Sequence, residues 1–247
     1  MRFEDRIVRC LGVCVALGGG LSVAEGVPPH LGGPMKHVLI TLNGNALRIA
    51  YDHNPAEVMS LPVYPCETYA APADVLDGMA YNAQYGWLAG GFINLPPGFT
   101  IRIQLLDQTP GLETYEALTF QPIFTTGGSG AVWNWNGSMV HNWYVAREPG
   151  FYAATYHVFV ADPAGQPDPA FVAADLTLDW DLAPGGCAAG DLTCDGLVSV
   201  DDVGPFVQVL LDPSAATPAE RCVADANVDG TVDGRDLQPF ITIVLGL

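Results

Sequence analysis

Asp191-Leu-Thr193-Cys-Asp195-Gly196-Leu197-Val198-Ser199-Val-Asp-Asp202 and Asp225-Ala-Asn227-Val-Asp229-Gly230-Thr231-Val232-Asp233-Gly-Arg-Asp236 are two copies of one pattern near the end of a 247-residue chain. The copies stand 34 residues apart (225 minus 191). The match continues downstream, where Pro205-Phe206-Val207 answers Pro239-Phe240-Ile241 and Leu211 answers Leu245. An internal duplication is read before anything else, because it decides how many structural units the chain contains.

Each copy has oxygen donors at positions 1, 3, 5, 9 and 12, glycine at 6 and a β-branched residue at 8, the spacing of an EF-hand-type calcium loop. Ca2+ is a hard cation that takes about 6–8 oxygens, so alternate residues of a coiled loop must turn carboxylates or amides inward. Gly196 and Gly230 allow the sharp turn at position 6. Position 7 needs only a carbonyl, so its side chain is free to vary. Asp202 and Asp236 stand at position 12, and the short carboxylate suits a loop that runs directly into a helix. Residues 202–211 and 236–245 are apolar at helical spacing, with Pro205 and Pro239 in the first turn, where N–H groups lack intrahelical partners. Before the first loop lies Pro184-Gly-Gly-Cys-Ala-Ala-Gly190, which predicts no entering helix. The unit is therefore loop plus helix, used twice.

Residues 190–247 resemble a type I dockerin domain, with Gly-Asp-x-x-Cys-Asp-Gly and Asp-x-x-Pro-Phe wording like that of dockerin-like tails of secreted planctomycete-type bacterial proteins. The resemblance implies a small all-α module that folds with two Ca2+ ions and docks onto a cohesin-type or other cell-surface protein. It implies ligands at Asp191, Thr193, Asp195, Leu197 (carbonyl), Ser199 and Asp202 in one loop. In the other they are Asp225, Asn227, Asp229, Thr231 (carbonyl), Asp233 and Asp236. Thr193 departs from the Asn or Asp usual at position 3. Positions 10 and 11, which matter for partner recognition in that family, are Val200-Asp201 in one copy and Gly234-Arg235 in the other, so the two faces are not equivalent.

The rest of the chain sets the context. Nine Lys and Arg stand against 27 Asp and Glu, a formal charge of −18, which excludes nucleic-acid binding for want of clustered cations. Arg2, Arg6 and Arg9 followed by the apolar stretch 10–23 and by Ser22-Val23-Ala24 predict an export signal over 1–24, cleaved near Ala24. The apolar stretch is shorter than the roughly 20 residues of a membrane span, and none is expected later in the chain. The mature protein is thus expected outside the cell or at its surface. Cys66, Cys187, Cys194 and Cys222 then remain, an even number with three possible pairings in an oxidising compartment; Cys194–Cys222 with Cys66–Cys187 is favoured.

After a Pro/Gly-rich leader over 25–34, residues 35–182 read as a β-sandwich or jelly roll, joined through 183–189 to the tail. His37–Leu42 and Ala46–Tyr51 around Asn43-Gly44 predict a hairpin. Residues 99–106, 131–136, 152–160 and 175–181 predict further strands, the last with Leu176, Leu178 and Trp180 inward. Asn54 to Gly91 reads as loop, apart from a helical turn near 74–79. Met139-Val-His141-Asn-Trp143-Tyr-Val-Ala-Arg-Glu-Pro149-Gly150-Phe-Tyr152, with His37, is similar to a signature of bacterial surface-anchored, choice-of-anchor β-domains. That likeness implies a secreted structural or binding module.

No motif for catalysis emerges. His30, His37, His53, His141 and His157 lack the i, i+2 or i, i+4 partners of a preformed metal site; His141 is expected to hydrogen-bond within a strand or loop. Glu113 and Glu116 are read as a solvated loop rather than a glycosidase pair. Trp87, Trp133, Trp135 and Trp143 are assigned to core packing in preference to sugar stacking. The expectation is a secreted, non-catalytic β-module attached to a partner by its calcium-binding tail. The alternative is a polysaccharide-active or glycan-binding protein delivered to a complex by the same tail.

Overall fold

The computed structural model describes residues 28–124, 131–183, 189–193 and 197–247. The expected export signal lies outside the described residues, as do Cys187, Cys194 and Asp195. The strands in chain order are β1 (Lys36–Asn43), β2 (Ala46–Tyr51), β3 (Met59–Ser60), β4 (Ala80–Asn82), β5 (Tyr85–Ala89), β6 (Thr100–Gln108) and β7 (Glu113–Tyr115). They continue with β8 (Pro122–Phe124), β9 (Val132–Trp135), β10 (Val140–His141), β11 (Trp143–Ala146), β12 (Gly150–Ala161) and β13 (Ala174–Leu182). Helices α1 (Val203–Leu211), α2 (Pro218–Ala224) and α3 (Leu237–Leu245) follow. Among the described residues, strand and α-helix are thus segregated along the chain, and the fold is mainly β.

β1 and β2 pair antiparallel, and the alternation in β1 puts Val38 and Ile40 on its buried face. Asn43 pairs with Ala46, so the turn is Gly44-Asn45, one residue later than the Asn43-Gly44 turn expected. Gly44 takes φ +62°, a conformation such hairpins need at the first turn residue and glycine adopts without strain.

Three sheets result, ordered β10-β5-β1-β2, β3-β13-β12-β6-β9 and β4-β11-β7-β8. β5 lies parallel to β1, and β3 parallel to β13. Asn54 to Gly91, expected to be loop, in fact contributes β3, β4 and β5, and the helical turn expected near 74–79 is a 3-10 turn at Ala73–Leu76. Its strands are short and do not alternate, since Tyr81, Ala83, Tyr85 and Trp87 are buried together with Asn82 and Gln84. Their register comes from strands distant in sequence.

The inner faces of the first two sheets share one core. Val38, Ile40 and Trp87 meet Ile103, Leu105, Tyr156, Leu178 and Trp180 there, each large apolar side chain contributing about 1.5–3 kcal/mol on burial. The inward residues expected for 175–181 are buried as read, and along β12 Tyr152, Ala154, Tyr156, Val158 and Val160 are buried as well. The third sheet adds Ala80, Tyr144 and Ala146 to this core. Its other face, with Tyr81, Trp143 and Val145, packs under Tyr69 and Leu76.

In the tail, Pro205 and Pro239 fall in the first turns of α1 and α3. α2 was not anticipated. Its signal is local: Thr217 accepts from the Glu220 N–H (3.2 Å), Glu220 accepts from the Thr217 N–H (2.7 Å), and Pro218 opens the helix, a reciprocal cap. α2 also meets the β-rich body. The Arg221 guanidinium donates to the Ala216 and Pro213 carbonyls at 3.0 and 3.3 Å, to the Arg147 carbonyl, and to Glu148 at 3.2 Å. The Ala219 N–H reaches the Gly78 carbonyl at 3.3 Å. Cys66 and Cys222 are each engaged in a disulfide; the partners expected for them, Cys187 and Cys194, lie outside the described residues. No helix among the described residues is long and apolar enough to cross a membrane.

Candidate metal centre

The second loop is described throughout and its coil follows from its own side chains. Asp225 ends α2 and its two carboxylate oxygens accept the N–H groups of Asp229 (3.1 Å) and Gly230 (2.8 Å). Asn227 accepts from the Asp229 N–H at 2.8 Å, and Asp229 from the Thr231 N–H at 3.0 Å. Such short-range side-chain acceptors bend the backbone into successive turns. Gly230 at position 6 has φ +85°, the left-handed turn for which glycine was singled out. Asp236 then closes the loop: one oxygen accepts the Asn227 N–H (3.0 Å) and the other the Asp233 N–H (2.8 Å).

The first loop closes in the same way wherever it is described. Asp202 accepts from the Thr193 N–H at 2.8 Å on one oxygen and from the Ser199 N–H at 2.8 Å on the other. Position 12 thus ties positions 3 and 9 in both copies, and both carboxylates are fully buried. Burial pushes the Asp202 carboxyl up. The hydrogen bonds from Ser199, Thr193 and Leu192 outweigh that and hold it below the usual carboxylate range. The departure at position 3 has a visible use: the Thr193 hydroxyl donates to Asp202 at 2.9 Å. Leu197, at position 7, exposes its side chain, as a residue needed only for its carbonyl can.

The copies meet through Phe206 and Phe240, equivalent residues whose rings stack at 3.9 Å and 2°. Val209, Ala216, Ala224 and Val232 complete this small core. The opposite stripe of each helix faces solvent, as Val203, Val207 and Leu211 on α1 and Leu237, Ile241 and Leu245 on α3, again equivalent pair by pair. Helical periodicity announced an apolar stripe. Its division into an inner aromatic edge and an outer aliphatic one was not apparent from spacing.

Among the described residues, no three His, Cys, Asp or Glu side chains converge closely enough to hold an ion as they stand. In the second loop the carboxylates are turned onto the loop's own N–H groups. The donor set nevertheless suits Ca2+. It is all oxygen, and a carboxylate oxygen that accepts one N–H keeps a second lone pair. Asp195 lies outside the described residues, so the first set is not complete among them.

The other residues singled out are accounted for structurally. Trp87, Trp135 and Trp143 are buried and Trp133 packs on the core, so they serve packing. Glu116 accepts the Leu118 and Thr119 N–H groups and the Thr119 hydroxyl, capping a turn, and Glu113 accepts the Tyr115 hydroxyl. His157 faces Asp175 across β12 and β13 at 2.6 Å. No protein-family model matches the chain, nor does any curated protein or any solved structure.

Proposed function

We propose that this is an exported two-part protein whose tail, residues 190–247, is a dockerin-like module that binds two Ca2+ ions and thereby attaches a β-sandwich body to a partner protein at the cell surface. The ligands are those of the duplicated loops, Asp191, Thr193, Asp195, Leu197, Ser199 and Asp202, then Asp225, Asn227, Asp229, Thr231, Asp233 and Asp236. The observation that carries this reading is the matched closure of the two loops by Asp202 and Asp236, with Phe206 stacked on Phe240 at the centre. Asp225, Asp229, Asp233 and Asp236 crowd four carboxylates into twelve residues, and bound Ca2+ supplies the charge that offsets their repulsion. The paired outer stripes of α1 and α3 give the partner, a cohesin-type protein, an apolar surface to cover.

The test uses the full chain. Far-UV circular dichroism reads the tail, which holds the α-helices found among the described residues, and tryptophan fluorescence reads the body, which holds all five Trp. EDTA should lower the helical signal while leaving the fluorescence transition in place, and calorimetric titration should return two equivalents of Ca2+. No uptake at millimolar Ca2+ would end the reading. For docking, Val207→Glu and Ile241→Glu should abolish calcium-dependent binding to a cohesin while helicity persists; unchanged binding would remove the assigned surface.

A further inference from the structure

The first sheet sets His141, Gly86 and His37 side by side on three neighbouring strands. His141 of β10 pairs with Gly86 of β5, and Gly86 pairs with His37 of β1. Residues in register on adjacent strands share a face, here the face opposite core residues Val38 and Trp87. Strands lie about 4.8 Å apart, so the two histidine backbones are separated by roughly 10 Å. Their rings nevertheless approach to 5.2 Å between centroids. Gly86 makes this possible: a Cβ there would stand 2.5 Å from His141 Nε2 and 2.6 Å from its Cε1. The edge of the His141 ring thus occupies the space a side chain on the middle strand would fill.

Both rings are held by Nδ1. His141 Nδ1 lies 2.8 Å from the Ala83 carbonyl, which can only accept, so Nδ1 carries the proton and Nε2 of the neutral ring presents a lone pair. His37 Nδ1 lies 2.6 Å from Asp52 Oδ2, while the other Asp52 oxygen accepts the His37 N–H at 2.7 Å and faces His53 Nδ1 at 3.2 Å. Asp52 thus holds both the ring and the backbone of His37. His37 Nε2 and His141 Nε2 are both buried and make no hydrogen bond. Buried nitrogens without a partner are costly and rare.

We propose that His37 Nε2 and His141 Nε2 form a two-imidazole site for a borderline transition-metal ion, Zn2+ or Cu2+, with Asp52 and the Ala83 carbonyl orienting the two rings. An Nδ1–H held by a carboxylate or carbonyl is the outer support that metal-ligating histidines carry. With a metal–nitrogen bond of about 2.0–2.1 Å, the ion lies about 3 Å from each ring centre, so two rings on one tetrahedral ion have centres about 5 Å apart. The observed separation is 5.2 Å. Two neutral nitrogens do not suit Ca2+, so the site is chemically separate from the tail loops. The protein supplies two donors, and water fills the remaining positions.

The experiment is titration of the full chain with Zn2+ by calorimetry and with Cu2+ by electron paramagnetic resonance, in excess CaCl2 so that the tail loops are occupied. One tight equivalent is expected, with coupling to imidazole nitrogen in the Cu2+ spectrum. His37→Gln and His141→Gln should each abolish it, and Asp52→Asn should weaken it about 10–100-fold. Gly86→Ala, which removes no donor, should also exclude the ion; tryptophan fluorescence checks that each variant is folded. No uptake by the wild type overturns the proposal, and so does a folded His141→Gln protein that titrates as the wild type does.

Discussion

Replacing Phe240 by alanine removes one half of the stacked pair on which the tail is built. Phe240 is 2% and Phe206 1% exposed, and their rings are parallel at 3.9 Å. Truncating a buried Phe costs about 3–5 kcal/mol, of which the ring pair accounts for about 0.5–1.5 kcal/mol. A unit of roughly sixty residues has only about 3–9 kcal/mol at about 0.05–0.15 kcal/mol per residue, so Phe240→Ala should leave the tail marginal or unfolded. Phe206→Ala should do the same to a similar extent, because the two positions are equivalent. Once one ring is gone the other has lost its stacking partner, so the double variant should cost less than the sum of the two singles by the pair energy. Urea titrations of the full chain in excess CaCl2, which keeps the single variants measurable by binding linkage, should show the far-UV transition move while tryptophan fluorescence keeps its midpoint. Strictly additive single effects, or an unmoved far-UV transition, would refute the idea that the tail is organised around this contact.

Asp202→Asn and Asp236→Asn each turn a loop-closing acceptor into a group that meets one N–H with its own NH2. Each should cost the tail about 1–3 kcal/mol, by nearly equal amounts, as read by urea denaturation in EDTA. Arg221→Ala removes bonds to the Ala216, Pro213 and Arg147 carbonyls and to the exposed Glu148; the ion pair itself is worth at most about 1 kcal/mol. Scanning calorimetry should then show the tail melting earlier than the body, whose own transition shifts by no more than about 0.5 kcal/mol. Burial pushes the Glu116 carboxyl up, but hydrogen bonds from Thr119 and Leu118 outweigh it and set the folded pKa below the ordinary value. Its stabilisation is therefore complete above the unfolded pKa of about 4.3 and disappears as pH falls through the folded value. Glu116→Gln should flatten the dependence of body stability in that acid range, measured by tryptophan fluorescence.

What could be read from the chain alone was whatever depends on near neighbours. Alternation of period two marked the strands at 175–181 and 152–160, because inward and outward residues of one strand record its burial directly. The coil of the second loop was legible for the same reason: Asp225, Asn227 and Asp229 act on N–H groups within five positions of themselves, and Gly230 meets a local backbone need. The cap Thr217-Pro218-x-Glu220 is equally local, yet the helix it opens was not expected. Tertiary structure decided the rest. β5 lies where loop was expected because its register is set by pairing with β1 and β10, strands far away in sequence. The same pairing brings His37 and His141 together over Gly86, which no spacing rule along one strand or helix can detect. Periodicity made α1 and α3 apolar, but only the stacking of Phe206 on Phe240 determined which edge is core and which is left to solvent, since a side chain's burial depends on what lies opposite it.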